Sequence, residues 1–234
     1  LTMLVNAQRA AAWTEVARRI AHEIKNPLTP IRLSAQRLQK KFGESIEDPA
    51  FQECTDMIIE QTDELKALVN EFSQFARLPQ TRPVLGSLNH VIDESVVLFR
   101  NAHKECEFRL LLDPSLPDFN FDQEQLKRVV LNLVDNAVAA VKNVAKPDIV
   151  LQTNYDSLLK MARLTIADNG VGIPESERER IFEPFYRARG ASERAGGVGL
   201  GLALARQIAH EHGGDLQCLE RDAGGGHFRL SLPR

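Results

Sequence analysis

Apolar residues recur along this chain with two different periods, and the change between them falls at a proline-rich break. Up to Phe42 the period is helical. At about 100° per residue, Trp13, Ile20, Ile24, Ile31, Ala35, Leu38 and Phe42 share one narrow arc. Gly43 to Pro49 (Gly-Glu-Ser-Ile-Glu-Asp-Pro) predicts a turn, in which Gly43 closes the first helix and Asp48-Pro49 supplies the cap and first residue of a second. The second helix carries heptads. Phe51, Ile58, Leu65 and Phe72 take one seam position and Cys54, Gln61, Leu68 and Phe75 the other, widened by Val69 and Ala76. Two helices with one broad apolar face each cannot bury it as a lone hairpin. Pairing two hairpins into a four-helix bundle, hence a homodimer, is the economical solution; packing of the hairpin on its own C-terminal domain is the alternative.

Leu78 to Pro83 (Leu-Pro-Gln-Thr-Arg-Pro) breaks the helical pattern and reads as a linker. Beyond it strands alternate with helices: a strand at Val84–Leu88, a helix at Asn89–Ala102, strands at Cys106–Leu112 and Asp118–Phe121, and a helix at Gln123–Val144. Strands at Ile149–Tyr155 and Lys160–Ala167, a helix around Leu200–His212, and strands at Asp215–Glu220 and His227–Leu232 complete the series. This order predicts a single mixed sheet with helices on one face. The fold class is therefore α followed by α/β: a helical hairpin over residues 1–78, a linker over 79–83 and an α/β domain over 84–234. The stretch from Asn169 to Gly199, rich in Gly, Arg and Glu, is long enough to predict a functional loop.

Composition narrows the function. A length of 234 residues accommodates two modest domains, and a net charge of −3 with both signs plentiful gives no field for nucleic acid or a membrane surface. Cys54, Cys106 and Cys218 are odd in number and widely spaced, which fits a reducing compartment and no metal site. No apolar run approaches the roughly 18 residues of a membrane span, so no direct membrane contact is expected of this stretch. The chain opens on Leu1 in what already reads as helix, as expected of a fragment of something longer.

The candidate chemistry starts at residues 22–30, His-Glu-Ile-Lys-Asn-Pro-Leu-Thr-Pro. His22 falls about 180° from the apolar arc and Asn26 one turn on lies beside it, with Glu23 adjacent. Pro27 and Pro30 each remove a backbone donor, and Pro27 loosens the turn at Glu23. Three further pieces lie in the second half. Asn132 and Asn136 are four apart on an otherwise Val, Leu and Ala helix, where they either contact Mg²⁺ or phosphate or bond to neighbouring loops. Asp168-Asn-Gly-Val-Gly-Ile173 comes off a strand, where a carboxylate can accept from an exocyclic amine. Gly196-Gly-Val-Gly-Leu-Gly-Leu202 opens a helix whose first N–H groups can cradle phosphate, although it is neither a Walker loop nor a dinucleotide fingerprint. The remaining histidines lack partners at metal spacing, and the run from Glu175 to Arg180 reads as a solvated helix turn.

Taken together, these motifs resemble those of bacterial sensor histidine kinases. His-Glu-x-x-Asn-Pro resembles their phosphoacceptor box, and the Leu-Thr-Pro continuation resembles the nitrogen-sensor, NtrY-like subgroup. The asparagine, aspartate and glycine segments resemble the N, G1 and G2 boxes of the GHKL (Bergerat-fold) ATPases. Ile181-Phe-Glu-Pro-Phe-Tyr-Arg187 resembles the F box of the kinases, and His212-Gly-Gly214 and Gly224-Gly-Gly-His-Phe228 their usual ending.

The resemblance implies a GHKL sandwich that binds ATP and Mg²⁺. Asp168 would take the adenine amino group, with Gly170, Gly172 and Ile173 shaping that loop. Asn136 would ligate Mg²⁺, assisted by Asn132. Tyr186 and Arg187 would approach the phosphates, flanked by Gly197, Val198, Gly199, Leu200, Gly201 and Leu202. His22 would be the phosphoacceptor, Glu23 its proton partner and Asn26 the residue of a reverse phosphatase activity. A response-regulator receiver domain would accept the phosphoryl group from a homodimeric kinase. This portion would be the cytoplasmic part of a longer inner-membrane sensor. Two departures stand out: Ala139 replaces a usual phosphate-binding Lys or Arg, with Lys142 one turn on, and Val198 replaces a common Thr or Ser. An ATPase of the same fold and a dimerising scaffold with a vestigial site are the competing readings.

Overall fold

The computed structural model describes residues 2–46, 48–75, 81–188, 199–221 and 224–234; for residues 2–20, 22, 71, 74 and 75 the backbone alone is described. The chain divides into two compact units, Leu1–Leu78 and Pro79–Arg234.

The first unit is a pair of helices, α1 (Thr2–Phe42) and α2 (Pro49–Phe75). α1 runs without interruption through Pro27 and Pro30. At the start of α2 the carboxylate of Asp48 accepts the N–H of Ala50 at 3.0 Å, so the Asp-Pro pair acts as cap and first residue. The seam between the helices consists of small residues in heptad register. Among the described residues, Ala21, Leu28 and Ala35 on α1 and Thr55, Thr62 and Val69 on α2 are the buried positions. Thr55 and Thr62 satisfy their hydroxyls on the carbonyls of Phe51 and Ile58, one turn back, at 3.0 and 2.8 Å. Arg32 and Asp63, 2.9 Å apart, pair across the hairpin, and the Gln39 amide donates to Asp56 at 2.6 Å. The large side chains of the predicted stripes are not in that seam: Ile24, Ile31, Leu38, Ile58, Leu65 and Leu68 stay exposed.

The second unit has the order β1 (Val84–Gly86), α3 (Leu88–Ala102), β2 (Glu107–Leu111), β3 (Phe119–Phe121), α4 (Gln123–Val141), β4 (Asp148–Asp156), β5 (Met161–Asp168), two 3-10 turns (Glu175–Glu177 and Arg180–Phe182), α5 (Gly201–Glu211), β6 (Asp215–Cys218) and β7 (His227–Pro233). The main sheet is mixed, with order β2-β4-β5-β7-β6; β2 runs parallel to β4 and the other pairs are antiparallel. A single sheet is not what forms, because β1 and β3 make a separate antiparallel ribbon. That ribbon is anchored by the rings of Phe119 and Phe121, 4.8 Å apart, rather than by the main sheet's ladder. β1 stops at Gly86, short of Leu88, because Ser87 turns to accept the His90 N–H and cap α3.

Register places the core on one face of the sheet. Ile149, Leu151 and Thr153 of β4 pair with Asp168, Ile166 and Leu164 of β5, which continue to Phe228 and Leu230 of β7. All of these are buried, whereas the alternate positions Gln152, Asn154 and Gln217 are exposed. Helices α3, α4 and α5 add Ile92, Val96, Leu126, Leu133, Leu204 and Ile208 to this core, each contributing about 1.5–3 kcal/mol by leaving water.

One knot holds the entry to this unit. The Asp122 carboxylate accepts the Arg82 N–H at 2.9 Å and caps α4 through the Gln125 N–H at 3.1 Å. The Asp122 N–H in turn donates to Nε2 of His212 at 3.1 Å, while Nδ1 of His212 lies 2.8 Å from the Ile208 carbonyl. A carbonyl can only accept, so His212 carries its proton on Nδ1.

Candidate functional site

The site forms where β5 ends. Along β5 the buried positions are Ala162, Leu164, Ile166 and then Asp168, which is 2% exposed. The alternation that closes the core thus aims a carboxylate into it at the strand's last residue. Oδ1 of Asp168 accepts the N–H of Gly170 at 2.8 Å and of Gly226 at 3.0 Å. Among the described residues, Oδ2 accepts no hydrogen bond. Burial pushes the Asp168 carboxyl above its ordinary range; the Gly226 and Gly170 N–H groups and the charge of Arg221 pull it back only in part.

The glycines here are dictated by approach. A Cβ on Gly170 would stand 2.5 Å from the carbonyl oxygen of Ala140 on α4, so the loop lies directly on that helix. A Cβ on Gly226 would strike the Asp168 carboxylate itself.

The same helix carries the two amides. Nδ2 of Asn132 donates to the Gly201 carbonyl at 3.3 Å and Nδ2 of Asn136 to the Asn132 carbonyl at 2.8 Å. Bonds to a loop and to the helix therefore engage the nitrogens. Neither Oδ1, the end of an amide that ligates a cation, accepts a hydrogen bond among the described residues. This donor set fits a hard divalent cation that keeps several waters.

Gly201 begins α5, whose N-cap Leu200 supplies no side-chain acceptor to the first-turn N–H groups. Gly199, at φ +78°, accepts the Phe185 N–H on its carbonyl oxygen at 3.0 Å, and a Cβ there would lie 2.7 Å from the Tyr186 carbonyl oxygen. The ring of Tyr186 lies under Arg180, 4.5 Å from its guanidinium carbon. Asp168, Gly170, α4 with Asn132 and Asn136, Gly201, Gly199 and Tyr186 thus follow one another as a continuous rim.

Other expected residues stand apart from it. Gly172 has φ +72° and, with Ile173, borders a hollow of about 310 Å³ behind the loop. That hollow is lined by neither asparagine nor Asp168 and is distinct from the rim. Leu200 is buried, Leu202 half-buried and Arg187 exposed. Gly197 and Val198 lie outside the described residues, as do residues 79 and 80 of the linker. Ala139 is exposed on α4, and Lys142 caps the end of that helix. Lys142 stands about 120° round the axis from Asn136, which is not the same face.

His22, Glu23 and Asn26 belong to the hairpin unit. Glu23 and Asn26 are exposed on α1; the His22 side chain lies outside the described residues. Among the described residues no three His, Cys, Asp or Glu side chains are grouped to hold a metal. Burial pushes the thiols of Cys106 and Cys218 up to about 11, which leaves neither a ready nucleophile. Sequence reasoning misses Arg221, reads Arg178 and Arg180 as part of a solvated turn and Gly226 only as part of a terminal motif, because bonds to main chain and ring have no sequence signature.

Comparison with known proteins agrees with this geometry. Residues 12–81 match the His Kinase A (phospho-acceptor) domain, and residues 121–234 the histidine kinase-, DNA gyrase B- and HSP90-like ATPase family. The nitrogen regulation protein NtrY of Azorhizobium caulinodans is 39% identical over 241 residues, covering 99% of this chain and 30% of that protein. An NtrY-like putative sensor histidine kinase of Rickettsia bellii is 35% identical, covering 95% of this chain and 35% of its own length. The chain thus spans about a third of the length of these curated relatives. Among solved structures, the mycobacterial sensor histidine kinase MprB aligns with TM-score 0.56 at 30% identity, over 65% of this chain and 97% of that one. The histidine kinase ThkA in complex with the response regulator protein TrrA aligns with TM-score 0.65 at 26% identity, over 97% of this chain and 63% of that one. No helix among the described residues is long and apolar enough to cross a membrane. A phosphoacceptor segment joined to a GHKL ATPase segment is the make-up of one family, and the chain belongs to it: the sensor histidine kinases, in their NtrY-like group.

Proposed function

We propose that this chain is an ATP-dependent kinase that phosphorylates its own His22 and passes the phosphoryl group to an aspartate of a response-regulator receiver domain. The observation that carries the reading is Asp168: a buried carboxylate with one oxygen satisfied by two backbone N–H groups and the other left to accept an exocyclic amine. Gly170, Gly172 and Ile173 shape the adenine loop. The glycine-rich segment from Gly197 to Leu202, which in sequence runs into the uncapped start of α5, receives the phosphates, with Tyr186 and Arg187 at their edge. Asn136, with Asn132, would hold Mg²⁺, which when bound neutralises phosphate charge.

His22 attacks in line through a ring nitrogen. The new N–P bond forms as the bond from the γ-phosphorus to the β,γ-bridging oxygen breaks, and ADP leaves. Glu23 accepts the proton on the other ring nitrogen and so stabilises the imidazolium that develops. Asn26 orients a water for the reverse dephosphorylation of the partner. Three parts serve this chemistry: hairpin 1–78, linker 79–83 and ATP-binding domain 84–234. The linker bends to bring His22 to the nucleotide.

The exposed apolar face of the hairpin, from Ile24 to Leu68, is the surface on which a second copy completes a four-helix bundle. The chain is the cytoplasmic portion of a longer inner-membrane sensor.

Incubation with γ-labelled ATP and Mg²⁺ tests the reading. A kinase yields an acid-labile, alkali-stable label that His22→Gln abolishes. Phosphate release without label would make the chain an ATPase, and neither product would make it a scaffold.

A further inference from the structure

Two arginines stand behind the loop that begins at Asp168. Nη1 of Arg221 donates to the main-chain carbonyl of Asp168, and Nε of Arg178 donates to that of Ile173 at 3.4 Å. These carbonyls are the two ends of the loop. Both guanidinium groups border the hollow of about 310 Å³, together with Gly172, Gly224 and Gly225. The loop is therefore gripped at both ends from outside, while Gly170 presses on α4 from inside.

The main chain around Asp168 is engaged on every side. Its N–H donates to the Gly226 carbonyl at 3.0 Å, and the Asn169 N–H donates to the Asp148 carbonyl at 3.2 Å. Arg221 supplies the bond at the remaining carbonyl, and it is the one that brings a full charge.

We propose that Arg221, bonded to the Asp168 carbonyl and aided at the loop's far end by Arg178, is a positioning residue that sets base specificity, fixing Asp168 as the acceptor at the base edge so that the site takes a 6-amino purine and rejects a 6-oxo purine. This rests on the reading of Asp168 as the adenine contact.

The chemistry of selection is simple. A carboxylate oxygen accepts from an amine and repels the carbonyl of a 6-oxo base; a protonated carboxyl does the reverse with its O–H. Burial favours the protonated form of Asp168, and the backbone N–H groups and Arg221 oppose it. The charged group facing this carboxylate is Arg221 from the β6–β7 connection, with the Cys218 thiol at the end of β6 beside it; Arg178, between the 3-10 turns, acts on the far end of the loop through Ile173.

The test uses the whole chain and fluorescent analogues of ADP and IDP, with affinities measured from about pH 5.5 to about pH 8. For Arg221→Gln, ADP affinity falls roughly tenfold while IDP affinity holds, so the ADP-to-IDP ratio collapses. Its ADP binding also fails at a higher pH on acidification than in the parent. Arg221→Lys restores the parental pH profile through its charge, with part of the affinity. An Arg221→Gln protein with the parental ratio and pH profile, or with equal losses for both nucleotides, overturns the proposal. If Asp168→Asn binds ADP as the parent does, the reading of Asp168 falls instead.

Discussion

The two units bury their apolar side chains in opposite ways. In the α/β unit Ile92, Val96, Leu126, Leu133, Leu151 and Leu164 are all 0% exposed within one copy of the chain. In the hairpin the buried seam is small, and Ile24, Ile31, Leu38, Ile58 and Leu65 keep 41–47% of their surface in water. The nucleotide-binding half is a finished core; the half that carries His22 is half of one. Apolar surface of that extent on a two-helix unit is the mark of an interface. Under the proposed pairing of two copies on that face, the stability of the hairpin half is coupled to protein concentration, and that of the other half is not.

The comparison can be broken most completely by His22→Gln. It removes the acid-labile label altogether and leaves nucleotide affinity, titrated with a fluorescent ADP analogue, at the parental value. Next in size is Ile31→Asp combined with Leu65→Asp. Charges on the exposed stripe weaken self-association by roughly 100-fold or more, read by sedimentation, and leave the melting of the α/β unit in place. Leu151→Ala does the converse. It destabilises the α/β unit by about 2–5 kcal/mol, with no dependence on protein concentration in a denaturant titration.

A smaller effect comes from pH. The Asp168 carboxyl is raised by burial, so the folded α/β unit binds a proton more readily than the unfolded chain does. Its stability then falls as pH rises from the ordinary carboxylate value through the raised one, and the penalty is fully present above that. Asp168→Asn keeps an acceptor for the two backbone N–H groups and removes the charge. It therefore raises the neutral-pH Tm of the nucleotide-free protein and flattens this part of the pH dependence, while abolishing ADP binding. Smallest is Lys142→Ala, which changes stability by about 0.5 kcal/mol or less and ADP affinity no more than a surface charge would.

Much of the fold could be read from periodicity because its elements obey it. The stop at Gly43, the start at Pro49 and the alternation in β4 and β5 all express themselves in residue type. The hairpin seam does not. Ala21, Thr55 and Thr62 are small or hydroxylated, so a hydrophobic pattern passes over them; it takes in Ala35 and Val69 but is dominated by the larger side chains that a single copy leaves outside. In the candidate site, Asp168 is legible because a carboxylate in phase with three core residues is a local contradiction. Arg178 and Arg221 are not, since a guanidinium bonded to a distant carbonyl leaves no trace in spacing. The β1–β3 ribbon escaped notice for a related reason: three-residue strands carry too few positions to show a partner.

One imidazole in the nucleotide-binding half has a consequence for the chemistry of the whole chain. His212 spends one ring nitrogen receiving the Asp122 N–H and the other giving its proton to Ile208. No lone pair is left over for electrophilic phosphorus, so this residue is mute toward ATP for as long as α4 and α5 stay joined through it. A histidine built into the walls of a domain proposed to phosphorylate another histidine is spared by its own bonds.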